Sequence, residues 1–139
     1  MNLQLKGGGH LSIPKIYPPD GLLVYMKQFN NIEYNREKKT IDIGAGVTCG
    51  EVYTYLEGLA NAPGVVGGDP TVGFSGWLLG GGYSLLTNQF GLGIDNIVGF
   101  QIVVPPGGVI LPAGGVLKVD HEKNPDLFKA LKVKLSYFT

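Results

Sequence analysis

The sequence predicts an α+β domain. Runs with strand character and runs with helix character both occur, without the strict alternation of a parallel βαβ chain. Two β-rich runs, "NIEYN" at 31–35 and "TIDIGA" at 40–45, flank the charged stretch "REKK" and read as a hairpin. Directly after them, Thr48 and Glu51 have the spacing of a capping box. Val52, Leu56 and Leu59 then fall on one helical face, so "TCGEVYTYLEGLA" predicts a helix.

The other elements follow in order. "LQLK" at 3–6 is a short strand leading into "GGGH", and "GLLVYMKQF" at 21–29 is an apolar strand after a Pro-Pro-Asp-Gly turn. "NIVGFQIVVPPGGVILPA" at 96–113 predicts two strands around a Pro-Pro-Gly-Gly turn. "NPDLFKAL" predicts a helix with Asn124 as N-cap and Pro125 at its first position.

The totals exclude several classes. With 139 residues, 44% of them hydrophobic, the chain suits one domain or a large piece of one and is not disordered. Eleven basic and eleven acidic residues give zero net charge, which argues against nucleic acid or a polybasic membrane patch as partner. No apolar run reaches the ~18–20 residues of a membrane span, and the first ten residues lack the apolar run of a signal peptide. The compartment stays unassigned. Cys49 is the one cysteine, which precludes an internal disulfide and reads as a small buried hydrophobe.

Glycine is the unusual total, 23 of 139 residues against a usual ~7%. Seven of them fall in "GGDPTVGFSGWLLGGGYS" at 67–84. Inside a regular element each costs about 0.5–1 kcal/mol relative to alanine, so a compensating use is implied. Bare backbone amides can hold a diphosphate without lysine or arginine, and tight helix–sheet packing would explain one or two glycines but hardly seven. "KGGGH" offers a second set of free N–H groups in a potential anion nest. Gly44-x-Gly46 before a helix is only a partial dinucleotide fingerprint. Cys49 stands where its third glycine belongs, and a hairpin precedes it. A structural turn is the better reading. His121 has only a polar, solvated context.

Five blocks in order, "KGGGH", "IDIGAGVTCGEVYTYL", "VVGGDPTVGFSGWLLGGGYS", "FGLGIDNIVGFQIVV" and "NPDLFKALK", resemble the FAD-linked oxidoreductases of the vanillyl-alcohol oxidase / p-cresol methylhydroxylase type, in their berberine-bridge-enzyme-like branch. The resemblance implies a partial PCMH-type FAD-binding domain over residues 1–132, a mixed sheet with flanking helices, and a divergent tail at 133–139. It implies that FAD is held by Gly7, Gly8, Gly9 and His10, and by Gly68, Asp69, Val72, Gly73, Gly76, Trp77, Gly81 and Gly82, with Val72, Phe74 and Trp77 as apolar walls. His10 matches the histidine that often bonds covalently to the flavin 8α-methyl carbon in that family. Asp69 stands where some members place a second, cysteinyl link, which leaves His10 as the single attachment point.

The resemblance further implies hydride transfer from a small-molecule substrate to FAD, with O2 as electron acceptor. The family's substrate domain, its first strand-and-helix portion and its closing glycine-rich segment have no counterpart here. The expectation is a fragment with no turnover of its own and incomplete burial. The alternatives are an inactive remnant or non-enzymatic nucleotide-binding module, and a structural α+β domain whose glycines serve packing alone.

Overall fold

The computed structural model describes residues 2–11, 20–61, 63–65, 67–108, 110 and 112–133. The elements are β1 (Asn2–Lys6), β2 (Gly21–Tyr25), β3 (Ile32–Asn35), β4 (Thr40–Ile43), α1 (Cys49–Glu57), α2 (Phe74–Leu79), α3 (Thr87–Phe90), β5 (Gly99–Val104), β6 (Gly115–Asp120) and α4 (Pro125–Val133). Short 3-10 turns occupy Met26–Gln28 and Gly93–Asn96. The α+β class is what the sequence predicts.

Among the described residues the strands pair as three two-stranded ladders, one parallel and two antiparallel. β1 and β2 run parallel, Leu3 opposite Leu22 and Leu5 opposite Val24. The hairpin of β3 and β4 matches the sequence reading, with Ile32 opposite Ile43 and Tyr34 opposite Ile41. Its turn is fixed locally: Lys38 N–H donates to Asn35 Oδ1 at 2.9 Å, and Lys39 takes a left-handed φ of 53°.

The α1 helix starts as predicted. Thr48 N–H donates to Glu51 Oε2 at 2.7 Å, and Glu51 N–H returns to Thr48 Oγ1 at 3.4 Å, closing the capping box. Val52 and Leu56 are buried, while Leu59 packs half-buried beyond the helix end. One core joins α1 to α2 and the hairpin through Val47, Cys49, Val52, Leu56, Phe74, Leu78 and Ile94. Ile32, Ile41 and Ile43 cover it from the hairpin. The Tyr55 hydroxyl accepts from Tyr34 N–H at 3.2 Å, tying hairpin to helix.

Three elements differ from the sequence reading. The β2 strand ends at Tyr25, and residues 26–28 form a 3-10 turn. That turn comes so close to Gly46 that a Cβ there would sit 3.0 Å from Lys27 Cα. The partner of β5 is "GVLKVD", with "VILPA" part of the connection between them. Residues 109 and 111 of that segment lie outside the described ones. Pairing on "GVLKVD" buries Val119 and lets the Phe128 ring of α4 meet Phe100 at 5.9 Å. Finally, the Asn124 carbonyl accepts the first helical bond from Phe128 N–H at 2.9 Å, but its side chain does not cap α4. Asn124 adopts φ 59° and its Nδ2 donates to the Lys118 carbonyl at 3.2 Å, binding the helix to β6 instead. The tail at 134–139 lies outside the described residues.

Much apolar strand surface is uncovered. Leu3, Leu5 and Leu22 share one face of the first ladder and all are exposed, Leu5 to 67%. Val103 and Val116 form an exposed cross-strand pair at 74% and 61%. Two-stranded ladders are marginal without a covering layer.

Burial and charge make testable statements about α1. Thr48→Ala removes the cap and is expected to destabilise the fold by about 1 kcal/mol in chemical denaturation. Glu51 is held below its ordinary value of 4.5, chiefly because Thr48 N–H donates to its carboxylate, and Lys27 Nζ at 3.2 Å adds to this. A lowered carboxylate contributes stability above 4.5 that is lost as pH falls through the lowered value. Glu51→Gln keeps a capping side chain without charge, so its stability is expected to fall less than wild type on acidification.

Candidate functional site

The segment 67–73 is laid across the first turn of α1. Cys49 N–H donates to the Val72 carbonyl and Gly50 N–H to the Pro70 carbonyl, both at 2.9 Å. Phe74 N–H returns to the Val47 carbonyl at 2.9 Å, around an antiparallel bridge between Thr48 and Gly73. The first-turn donors of α1 are therefore spent on this loop and on the cap, so no anion sits there. That agrees with reading Gly44-x-Gly46 as a structural turn.

Backbone lies against backbone where the two glycine-rich loops meet. A Cβ on Gly8 would stand 2.6 Å from Gly73 Cα, and one on Gly73 would stand 2.9 Å from Gly8 Cα. Ser75 Oγ–H donates to the Ala45 carbonyl at 2.7 Å, beside Gly7, and anchors α2 on the same junction. The two loops are distant in sequence, and only side-chain-free residues let them touch.

Packing accounts for more of the glycines than the sequence suggested. Gly67 fits against the Tyr53 hydroxyl and Cys49 Sγ, where a Cβ would be 3.0 and 3.1 Å away. Gly68 lies under Trp77, and Gly82, at φ 74°, lies within 2.8 Å of Gly93 Cα by the same measure. The Trp77 indole N–H donates to the Tyr83 carbonyl at 2.9 Å, so this one ring spaces the loops at 68, 82 and 93. Gly76 differs. It is exposed on α2, and a Cβ there would meet nothing within 4 Å. Gly81, at φ 104°, is equally open.

Asp69 and His10, the two positions that the sequence singled out for flavin attachment, are brought within electrostatic reach. Asp69 Oδ1 accepts from Thr71 Oγ1 at 2.6 Å and from Thr71 N–H at 2.9 Å. These bonds hold its carboxyl below the ordinary value, and His10 lowers it further. His10 itself is exposed. A cleft of about 430 Å³ runs beside Asp69, lined by Tyr53, Gly67, Gly68, Tyr83, Ser84 and Leu85. Its floor is Tyr53, whose hydroxyl accepts from Gly67 N–H at 3.0 Å and donates to the Gly68 carbonyl at 2.7 Å. Burial pushes the Tyr53 phenol above its ordinary range.

Two residues of this region escaped the sequence reading. Tyr53 stands one turn beyond Cys49 on α1, and that i, i+4 spacing was the available signal. Lys6 places its Nζ 4.7 Å from the Tyr25 ring centre, and within 3.2 Å of a Cβ built on Gly9. A cation therefore stands beside the first glycine loop despite the chain's zero net charge. Among the described residues no group of histidine, cysteine and carboxylate side chains could hold a metal ion. No helix there is long and apolar enough to cross a membrane.

Two glycine-rich loops thus meet by backbone contact beside an exposed histidine and a lysine. The profile of the family described as FAD binding domain matches residues 1–113, and the chain belongs to that family. It is 35% identical over 136 residues to the FAD-dependent monooxygenase yanF of Aspergillus niger, which covers 96% of this chain and 22% of that protein. It resembles the solved structure of Physcomitrella patens BBE-like 1, with TM-score 0.74 and 34% identity over 94% of this chain and 27% of the other. It also resembles glucooligosaccharide oxidase from Acremonium strictum, with TM-score 0.71 and 27% identity over 94% of this chain and 26% of the other. The chain thus spans about a quarter of the length of these proteins. It is an FAD-binding domain of the flavin-dependent oxidoreductases.

The residues present fit FAD. The open backbone at Gly76 and Gly81 leaves room for close approach, and the Lys6 ammonium beside Gly9 suits a diphosphate. Cys49, by contrast, is a packing residue. It is fully buried and its thiol is pushed up from 9.0, chiefly by burial. It therefore stays protonated at neutral pH, and native protein is expected to react with iodoacetamide far more slowly than denatured protein, as a labelling time course would show.

Proposed function

We propose that this chain supplies the FAD-binding part of an oxidoreductase that oxidises a small organic molecule, with O2 as electron acceptor. The observation that carries this reading is the Gly8–Gly73 backbone junction, which gathers both glycine loops, His10 and Asp69 into one region. When bound, FAD supplies the hydride acceptor. The chain's own residues position it: Gly7, Gly8 and Gly9 from one loop, and Gly68, Gly73, Gly76, Gly81 and Gly82 from the other, with Val72 and Trp77 as apolar walls.

His10 is the covalent attachment point in this proposal. Glucooligosaccharide oxidase is described with a 6-S-cysteinyl, 8α-N1-histidyl FAD. Here Asp69 occupies the place that the resemblance assigns to the cysteine, and Cys49 is buried in the core. Asp69 lies within electrostatic reach of His10, and its carboxyl is held low chiefly by the Thr71 hydrogen bonds, with His10 adding to this. In the protein extended to the length of its relatives, the acid-precipitated pellet is expected to be yellow. His10→Ala should give a colourless pellet, and a yellow one would place the link elsewhere.

Two glycines separate ligand approach from packing. Gly73→Val should split the loop junction and lose both fold and flavin. Gly76→Ala fills open space on a helix, so it should leave stability equal or raise it by about 0.5–1 kcal/mol. It should still weaken FAD retention, read by flavin absorbance after gel filtration. Full retention in Gly76→Ala would remove Gly76 from the site.

The 139 residues by themselves are expected to show no peroxide production and poor solubility. The exposed faces of β1–β2 and β5–β6 motivate this, since open apolar strands invite edge pairing. A soluble, cooperatively melting chain that makes peroxide from a sugar or alcohol would overturn it.

A further inference from the structure

The Tyr53 hydroxyl makes two hydrogen bonds to consecutive residues of one loop. It accepts from Gly67 N–H at 3.0 Å and donates to the Gly68 carbonyl at 2.7 Å. A phenol has one donor and its acceptor lone pairs, so this use sets the orientation of the intervening backbone. The same helix also backs this segment with Cys49, whose Sγ lies 3.1 Å from a Cβ built on Gly67. Cys49 and Tyr53 lie four residues apart on α1 and share a face. Side chains fit poorly at either glycine: a Cβ on Gly67 would press on the Tyr53 hydroxyl and Cys49 Sγ, and one on Gly68 would press on Trp77.

The gripped segment ends at Asp69, which lines the cleft together with Tyr53, Gly67 and Gly68. We propose that Tyr53 is a positioning residue for the bound flavin: its hydroxyl clamps the Gly67–Gly68 backbone and so fixes the cleft wall that leads into Asp69. The proposal rests on the FAD-binding reading above. It adds a group on α1 that acts on the cofactor through the loop. The rest of the loop is already tied down, through Cys49 N–H and Gly50 N–H to the Val72 and Pro70 carbonyls. Asp69 is tied to the same part, its carbonyl accepting from Val72 N–H and its carboxylate from Thr71, so loss of the hydroxyl would free residues 67 and 68 while leaving 69–73 in place.

The test is Tyr53→Phe in the protein extended to family length and loaded with FAD. Flavin should remain bound, but its visible bands should lose fine structure and its Asp69-side wall should admit water. Cys49, covered by Gly67, should become more reactive to iodoacetamide in both the FAD-loaded and FAD-free protein. A rise of about tenfold corresponds to about 1.4 kcal/mol of lost clamping. In wild type, the Gly67 amide should exchange with deuterium as slowly as the interior amides of α1.

A variant with unchanged flavin spectrum and unchanged Cys49 reactivity would overturn the proposal, even if it melted earlier. Free-loop exchange at Gly67 in wild type would overturn it without any variant. If wild type bound no FAD, the flavin reading would fall, and the positioning role with it. The cysteine and exchange measurements would still decide whether the clamp itself exists.

Discussion

The close approach of Gly8 to Gly73 is the constraint on which the remaining geometry depends. It is a contact between main chains, so it tolerates no side chain on either partner. Because the 70–73 segment is also hydrogen-bonded to the first turn of α1, the contact transmits the position of that helix to the "KGGGH" loop. His10 and Asp69 come within reach of each other as a consequence, although neither touches the junction. The helix is in turn fixed by its capping box and by the core residues Val52 and Leu56. Position passes from a local sequence signal, through a helix, to a loop that no local signal could place.

The glycines occupy two kinds of surroundings that composition cannot separate. At positions 73 and 82 a methyl group would collide with backbone atoms, and at 67 and 68 it would press on the Tyr53 hydroxyl, Cys49 Sγ and Trp77, so internal packing favours glycine at all four. At positions 76 and 81 a Cβ would meet nothing within 4 Å, and Gly81 also holds a φ of 104° that a side chain would strain. The single tryptophan ties the packed positions together, since Trp77 fills the volume that Gly68, Gly82 and Gly93 leave empty. A bulky ring surrounded by glycines makes a stiff wall with little side-chain entropy to lose.

The same chain that is so closely fitted around α1 leaves other surfaces bare. Its core runs along α1, α2 and the β3–β4 hairpin, while β1–β2 and β5–β6 turn leucine and valine side chains outward. Leu85, on the rim of the cleft, is 96% exposed. These are faces suited to a covering layer, in keeping with relatives about four times as long. The cofactor module is thus well determined at its centre and open at its edges.

Local chemistry made the α1 helix, its cap, the β3–β4 hairpin and the glycine loops legible in the sequence, because each depends on residues within a few positions of one another. The five ordered blocks also carried the family and its cofactor. What the sequence left undetermined is everything set at a distance. The β5 strand pairs with "GVLKVD" because that register buries Val119 and seats α4, a benefit invisible to a turn signal at 105–108. Asn124 has a capping residue's chemistry but spends its amide on the Lys118 carbonyl. The roles of Tyr53 and Lys6 likewise appeared only with the fold, since a tyrosine and a lysine are ordinary residues until a loop from elsewhere in the chain is laid against them. Only the tertiary structure decided which glycines serve packing and which leave space, because that depends on atoms brought close by folding.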